Sequence, residues 1–183
     1  MMKHLKNIVA GNAKTPDQFQ LTKRFGVIWL FSADGKNWYE EQKNFSADTI
    51  KIAYDKNNVI VGINKDVSTI HPDGLSVVEV PDITANRRAD ASGNWMFLDD
   101  RVIKRIYTPD ELRQQAEAKK TRLLADATPR INWLEDAQKD GDISADEETE
   151  LTAMRAYRTA LRRLDLSAAP EINWPVVPDL IQP

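Results

Sequence analysis

The chain has no cysteine and only two histidines, His4 and His71, among 183 residues. The first absence excludes a disulfide framework, a thiol nucleophile and any zinc site with sulfur ligands, and it fits a reducing compartment. The second nearly excludes a site that needs converging imidazoles. Glycine is scarce, with seven residues, and none falls in G-x-x-x-x-G-K-S/T, G-x-G-x-x-G or G-x-S-x-G; H-E-x-x-H is missing as well. An ATP-driven machine is therefore not expected. Charge of one sign is lacking too: 25 Lys+Arg stand against 28 Asp+Glu, net −3. A nucleic-acid groove needs a basic field, so no nucleic-acid partner is expected. No apolar run approaches the roughly 18–20 residues that span a bilayer. Behind Lys3, His4 and Lys6 the run is only Ile8-Val9-Ala10, short of the about 7–15 residues of a secretory segment, so no membrane is expected either. What is present is an ordinary soluble composition, 42% hydrophobic and 29% charged, long enough for one domain or two small ones.

The grammar changes near Thr108. Residues 1–107 hold 15 basic and 13 acidic residues, all five Phe and six of the seven Gly; residues 108–183 hold 10 basic and 15 acidic. The first half reads as strands and turns. Val27-Ile28-Trp29-Leu30-Phe31 and Trp38-Tyr39 flank Asp34-Gly35, a hairpin signal because glycine accepts the positive φ of the turn. Residues 49–54 and 58–63 flank Asp55-Lys56-Asn57, with Val59, Val61 and Ile63 on one face and Ile60 and Gly62 on the other. Ser76 to Val80 stops at Pro81, which cannot donate to a ladder. Trp95-Met96-Phe97-Leu98 and Arg101 to Tyr107 form a third hairpin around Asp99-Asp100. Residues 81–94 read as a loop or linker.

The second half reads as helices and a tail. Thr108-Pro109-Asp110-Glu111 is a helix start, with Thr at the N-cap, Pro at N1 and Glu at N3. Leu112, Ala116, Leu123, Ala127, Ile131 and Leu134 form a helical stripe. Pro129 within it predicts a kink or break. Gly141 closes this segment, and Ser144-Ala145-Asp146-Glu147 opens the next, whose stripe is Leu151, Met154, Tyr157, Leu161 and Leu164. Two helices on a short loop predict an antiparallel pair. Pro170, Pro175, Pro178 and Pro183 make the tail extended, with Ile172, Trp174, Val176 and Val177 as anchors. The turns holding Gln114, Gln115, Glu117, Lys119, Lys120 and Arg122 are too polar to be enclosed; they predict an arm or a subunit contact.

The inventory for catalysis is thin. His71 precedes a turn sequence and His4 lies in a terminus, so both read as surface histidines. Glu40-Glu41, Asp99-Asp100 and Glu147-Glu148 are adjacent pairs whose side chains diverge, and they read as solvated faces. Asp136, Asp140, Gly141 and Glu147 match positions 1, 5, 6 and 12 of a calcium loop, but position 3 is Gln138 and the loop is unpaired. The rival reading is a helix end at Gly141 followed by a capping box at Ser144 and Glu147. Arg155, Arg158, Arg162 and Arg163 lie on one helix and pair with a neighbour or face solvent.

Several phrases carry a resemblance. They include Tyr157-Arg158 with Leu161, Leu164 and Asp165, then Ala169-Pro170-Glu171-Ile172-Asn173-Trp174-Pro175, and Ile143-Ser144-Ala145-Asp146-Glu147-Glu148. In the first half they are Gln20-Leu21-Thr22-Lys23, Asp34 to Glu41, residues 81–90, Trp95-Met96-Phe97 and Val102 to Arg105. Over nearly its whole length the chain resembles the tail fibre assembly proteins of tailed bacteriophages, in their Mu-like and lambda-like forms. The resemblance implies a chaperone without ATPase activity that helps a trimeric fibre fold. It would act on the receptor-binding C-terminal end of the fibre, in the host cytoplasm during virion assembly. Family members usually lack the carboxylates seen at Asp136, Asp140 and Asp142, which lowers the calcium reading further.

Together these readings predict an α+β fold: a β-rich domain followed by a helical hairpin with an extended Pro-rich tail. Residues 1–80 would form the fibre-recognition domain, 81–107 a linker and hairpin, and 108–183 a helical assembly domain. Exposed aromatics of the first half, Trp29, Trp38 and Tyr39, are candidates for fibre contact. Leu112, Leu123, Ile131, Leu151, Leu161 and Trp174 are candidates for the helical core or for weak self-association. No catalytic residue, metal or cofactor is assigned. The alternative role is a fibre-tip subunit that stays on the virion and touches the host surface.

Overall fold

The computed structural model describes residues 2–178; Pro183, counted with the tail above, lies outside that range. The fold is α+β. The chain divides into two compact units, Met1–Ile106 and Tyr107–Pro183.

The first unit is built on a five-stranded antiparallel sheet in the order β2-β1-β5-β3-β4. Its strands are β1 (His4–Gly11), β2 (Trp29–Phe31), β3 (Thr49–Tyr54), β4 (Ile60–Asn64) and β5 (Leu75–Pro81). β5 is central and buried on both faces. Val77 packs with Leu5, Ile8, Trp38 and Phe45 on one side. Val78 and Val80 pack with Ile50, Ile52, Ile60 and Phe97 on the other. Two covered faces explain why Ser76 to Val80 lacks the polar alternation of a half-exposed strand. The second face is closed by a separate hairpin of β6 (Trp95–Leu98) and β7 (Arg101–Lys104). Its turn residues Asp99 and Asp100 have φ of 49° and 57°, as a two-residue primed turn demands.

In the path of the first unit four expectations are corrected. No strand returns after Asp34-Gly35. A single bridge joins Phe31 to Asn37, and the chain then enters a short helix, α2 (Trp38–Glu41), because the Asn37 side chain caps it by accepting from the Tyr39 amide. Val59, Val61 and Ile63 do not share one face: Val61 is exposed, whereas Ile63 packs on the same core as Ile60. A register shift opposite Ala53 and Tyr54 leaves Val59 and Ile60 both buried. The stretch 81–94 holds a one-turn helix, α3 (Thr84–Arg87), and buries Ala89 against the sheet. His4 is not in a free terminus but in β1, where its Nε2 lies 2.6 Å from the Tyr54 hydroxyl and its ring stacks edgewise on Phe97.

An unpredicted helix, α1 (Pro16–Phe25), starts at Thr15 as N-cap and stops at Gly26 in the left-handed region. Its buried residue is Gln18, so no apolar stripe announces it.

The second unit is an antiparallel pair, α4 (Pro109–Asp140) and α5 (Ala145–Arg163). Both begin in full capping boxes, Thr108 with Glu111 and Ser144 with Glu147. Gly141, at φ 79°, ends α4. Of the kink or break expected at Pro129, the break does not occur: α4 runs unbroken through it. Proline removes the bond to the Ala125 carbonyl, but Ala127, Ile131 and Leu134 on either side bury against α5, and that packing outweighs the loss. Tail residue Trp174 packs on the same core.

Candidate functional surfaces

The structure separates the fibre-contact candidates. Trp38 is 1% exposed and Trp29 8%; both are core residues rather than the exposed aromatics expected. Trp29 supports α1 from below, its indole N–H donating to the Thr22 hydroxyl at 2.8 Å and the Gln18 carbonyl at 3.2 Å. Tyr39 is exposed. Its hydroxyl donates to the Ile28 carbonyl at 3.0 Å, and its ring meets Trp29 edge-on at 5.8 Å. Ile28 beside it is exposed, as are Leu21 and Phe25 of α1, none of which the sequence nominated. Leu21 and Phe25 are four apart on α1, so they share one face, and Gly26 turns the chain so that Ile28 follows them to Tyr39.

The same unit holds buried charge. Lys51 is 2% exposed, and its ammonium donates to the carbonyls of Thr49 (3.0 Å), Lys65 (2.8 Å) and Ser46. Glu79 accepts from the amides of Lys3 (2.8 Å) and Ser46 (2.9 Å) and from the Thr49 hydroxyl (3.2 Å). Burial, reinforced by Lys6 and opposed by Asp100, holds the His4 imidazole below its usual pKa. Burial likewise pushes the Tyr54 phenol up.

In the second unit Ile131, Leu151 and Leu161 are wholly buried in the α4–α5 core. Leu123 and Trp174 are half-buried against that core, and Leu112 is half-buried near the start of α4. Of these six, then, three are interior and three lie nearer the surface. Polar contacts lock the pair. Arg130 makes a bidentate contact with Glu150, both bonds 2.7 Å, and Glu150 is 4% exposed. Arg155 and Arg158 both reach Glu135. Lys120 donates to the Arg162 and Leu164 carbonyls and so caps the end of α5. The Lys119 ammonium sits 4.2 Å over the Trp174 ring. A cavity of ≈ 260 Å³ opens between Leu123, Asp126, Ala127, Arg130, Met154, Tyr157 and Val177. The Tyr157 hydroxyl is buried there without a hydrogen-bond partner among the described residues.

The stretch matched to a calcium loop is helical through Asp140, and Glu147 is bonded to the Ser144 amide and hydroxyl. Among the described residues no cluster of three His, Asp or Glu side chains is arranged to hold a metal ion. No helix among them is long and apolar enough to cross a membrane.

Comparison with known proteins gives the family. A model described as "Caudovirales tail fibre assembly protein, lambda gpK" matches residues 40–179. A "Probable tail fiber assembly protein" of Escherichia phage P2 is 56% identical over 97% of this chain and 99% of its own. "Tail fiber assembly protein U" of Escherichia phage Mu is 56% identical over 97% of this chain and all of its own. "Tail fiber assembly protein U'" of Escherichia phage P1 is 52% identical over the same shares. With a family model across most of its length and relatives more than half identical from end to end, the chain belongs to the tail fibre assembly protein family.

Proposed function

We propose that the chain is an ATP-independent chaperone for a bacteriophage tail fibre, binding the C-terminal end of the fibre and promoting its trimeric assembly in the host cytoplasm. The observation that carries this reading is the full-length similarity to tail fibre assembly proteins. The division into two units with separate cores supports a division of labour. The first unit, with β-sheet and exposed aromatic side chains, recognises the fibre. The second, a helical hairpin, holds chains near one another by weak self-association. Chains that must find register before they intertwine gain from an external template, which raises their local concentration and disfavours wrong pairings. Binding energy alone does this, so the role calls for no enzymatic step and no cofactor.

The test is co-expression of the full chain with the C-terminal fragment of its fibre, followed by size exclusion with light scattering. Soluble trimeric fibre that forms only when the chain is present supports the proposal. Fibre that trimerises alone, with nothing co-eluting, refutes it. Detection of the chain on purified particles would establish the alternative of a retained tip subunit.

A further inference from the structure

We propose that the corner formed by Leu21, Phe25, Ile28 and Tyr39, with Arg24 at its rim, receives an apolar segment of the tail fibre protein that carries a carboxylate. This inference rests on the fibre-binding reading above and names the surface.

Two observations meet at this corner. The first is exposure: Phe25 and Ile28 are 64% and 66% exposed, Tyr39 45% and Leu21 41%. Single exposed apolar residues are ordinary, whereas a contiguous group marks a contact site. The group is rigidly held. Trp29 pins α1 through Gln18 and Thr22, and the Tyr39 hydroxyl is fixed on the Ile28 carbonyl. An aromatic surface already ordered loses little conformational freedom on binding. The second observation is unmatched positive charge. Arg24 lies over the Phe25 ring at 5.0 Å and, like Lys23 beside it in the last turn of α1, has no acidic partner among the described residues. The acids of α2 are engaged, Glu40 with Gln18 and Glu41 with Lys3. A partner that brings its own carboxylate would complete the rim, and arginine on an aromatic face is a preferred receiver of one.

The experiment measures binding of the full-length chain to the C-terminal fragment of its fibre. The variants are Phe25→Asp with Ile28→Asp, Arg24→Glu alone, and Val61→Asp as a control. Val61 is an exposed residue of β4, at the opposite sheet edge from β2. The double variant is expected to lose about 100-fold or more in affinity, the loss typical of central aromatic contacts. Arg24→Glu should lose about 10-fold and weaken the salt dependence of binding, and Val61→Asp should match the parent. With the unsubstituted chain, amide exchange across residues 21–39 should slow on complex formation, a readout independent of any variant's folding. Double-variant binding equal to the parent, with no slowing in that stretch, overturns the proposed surface and leaves the fibre-binding reading standing. Failure of the parent chain itself to bind the fragment overturns both.

Discussion

Lys51 and Glu79 stand opposite each other in the β3–β5 register, yet each turns to the backbone rather than forming an ion pair with the other. Both converge on Ser46, Lys51 through its carbonyl and Glu79 through its amide. The two opposite charges, buried side by side, thereby fasten the loop before β3.

Removing one of them should be costly. Glu79→Ala leaves the Lys3 and Ser46 amides without their acceptor and Lys51 without its counter-charge. It should destabilise the first unit by about 3 kcal/mol or more. Glu79→Gln, which keeps an acceptor, should cost less. Urea unfolding followed by tryptophan fluorescence measures both, and equal stability of the Ala variant and the parent would refute the role.

The first unit should lose stability on mild acidification through His4. Its folded pKa is held below the ordinary 6.5 by burial, so between those two values the unfolded chain binds the extra proton. Stability attributable to this group is complete above about 6.5 and falls as the pH drops towards the folded pKa. The melting temperature of the parent should therefore decline over that window. His4→Gln should flatten the decline, and a decline of equal slope in that variant would discard the assignment.

Trp174→Ala should loosen the helical unit specifically. The ring packs on the α4–α5 core and under the Lys119 ammonium, and deleting a half-buried indole costs about 2 kcal/mol. Amide exchange in α4 and α5 should accelerate while β1, β3 and β5 keep their protection. Uniform acceleration across both units would contradict the assignment.

Pro129→Ala should strengthen the same unit. The helix already tolerates the proline, so alanine restores the bond to the Ala125 carbonyl without any rearrangement. The gain should be about 1–3 kcal/mol. Chemical denaturation monitored by far-ultraviolet circular dichroism would register it, and an unchanged or lowered midpoint would show that α4 requires a proline there.

How much of this was legible depended on whether local chemistry or distant packing governed each element. Thr108, Ser144 and Gly141 act through neighbouring backbone groups, and they marked the helix ends correctly. The hairpin at Asp99-Asp100 was equally local. β1 was hidden because Asn7, at φ 49°, inserts a bulge. Leu5 and Ile8 then reach the same core three residues apart, which is no strand period. For α1 the start and stop signals, Thr15-Pro16 and Gly26, are present, but Gln18 is its buried residue while Phe19, Leu21 and Phe25 are exposed, so no apolar stripe marks it. The same inversion separates size from exposure among the aromatics: Trp29 and Trp38 are large, but the sheet uses them inside. The exposed corner was recognisable only once α1 was in place.

β5 sits between β1 and β3, and this fixes when the first unit can fold. Its register joins Leu5 to Val77, so β1, which has β2 close by for one edge, waits for the partner of its other edge some seventy residues further along the chain. During synthesis the aromatic corner near the N-terminus emerges long before the strand that completes the sheet beneath it. Pairings over such separations are slow because a long loop must close before any contact forms. The chain is thus committed to closing its sheet late, after Pro81 has been made and shortly before the hairpin that seals the second face.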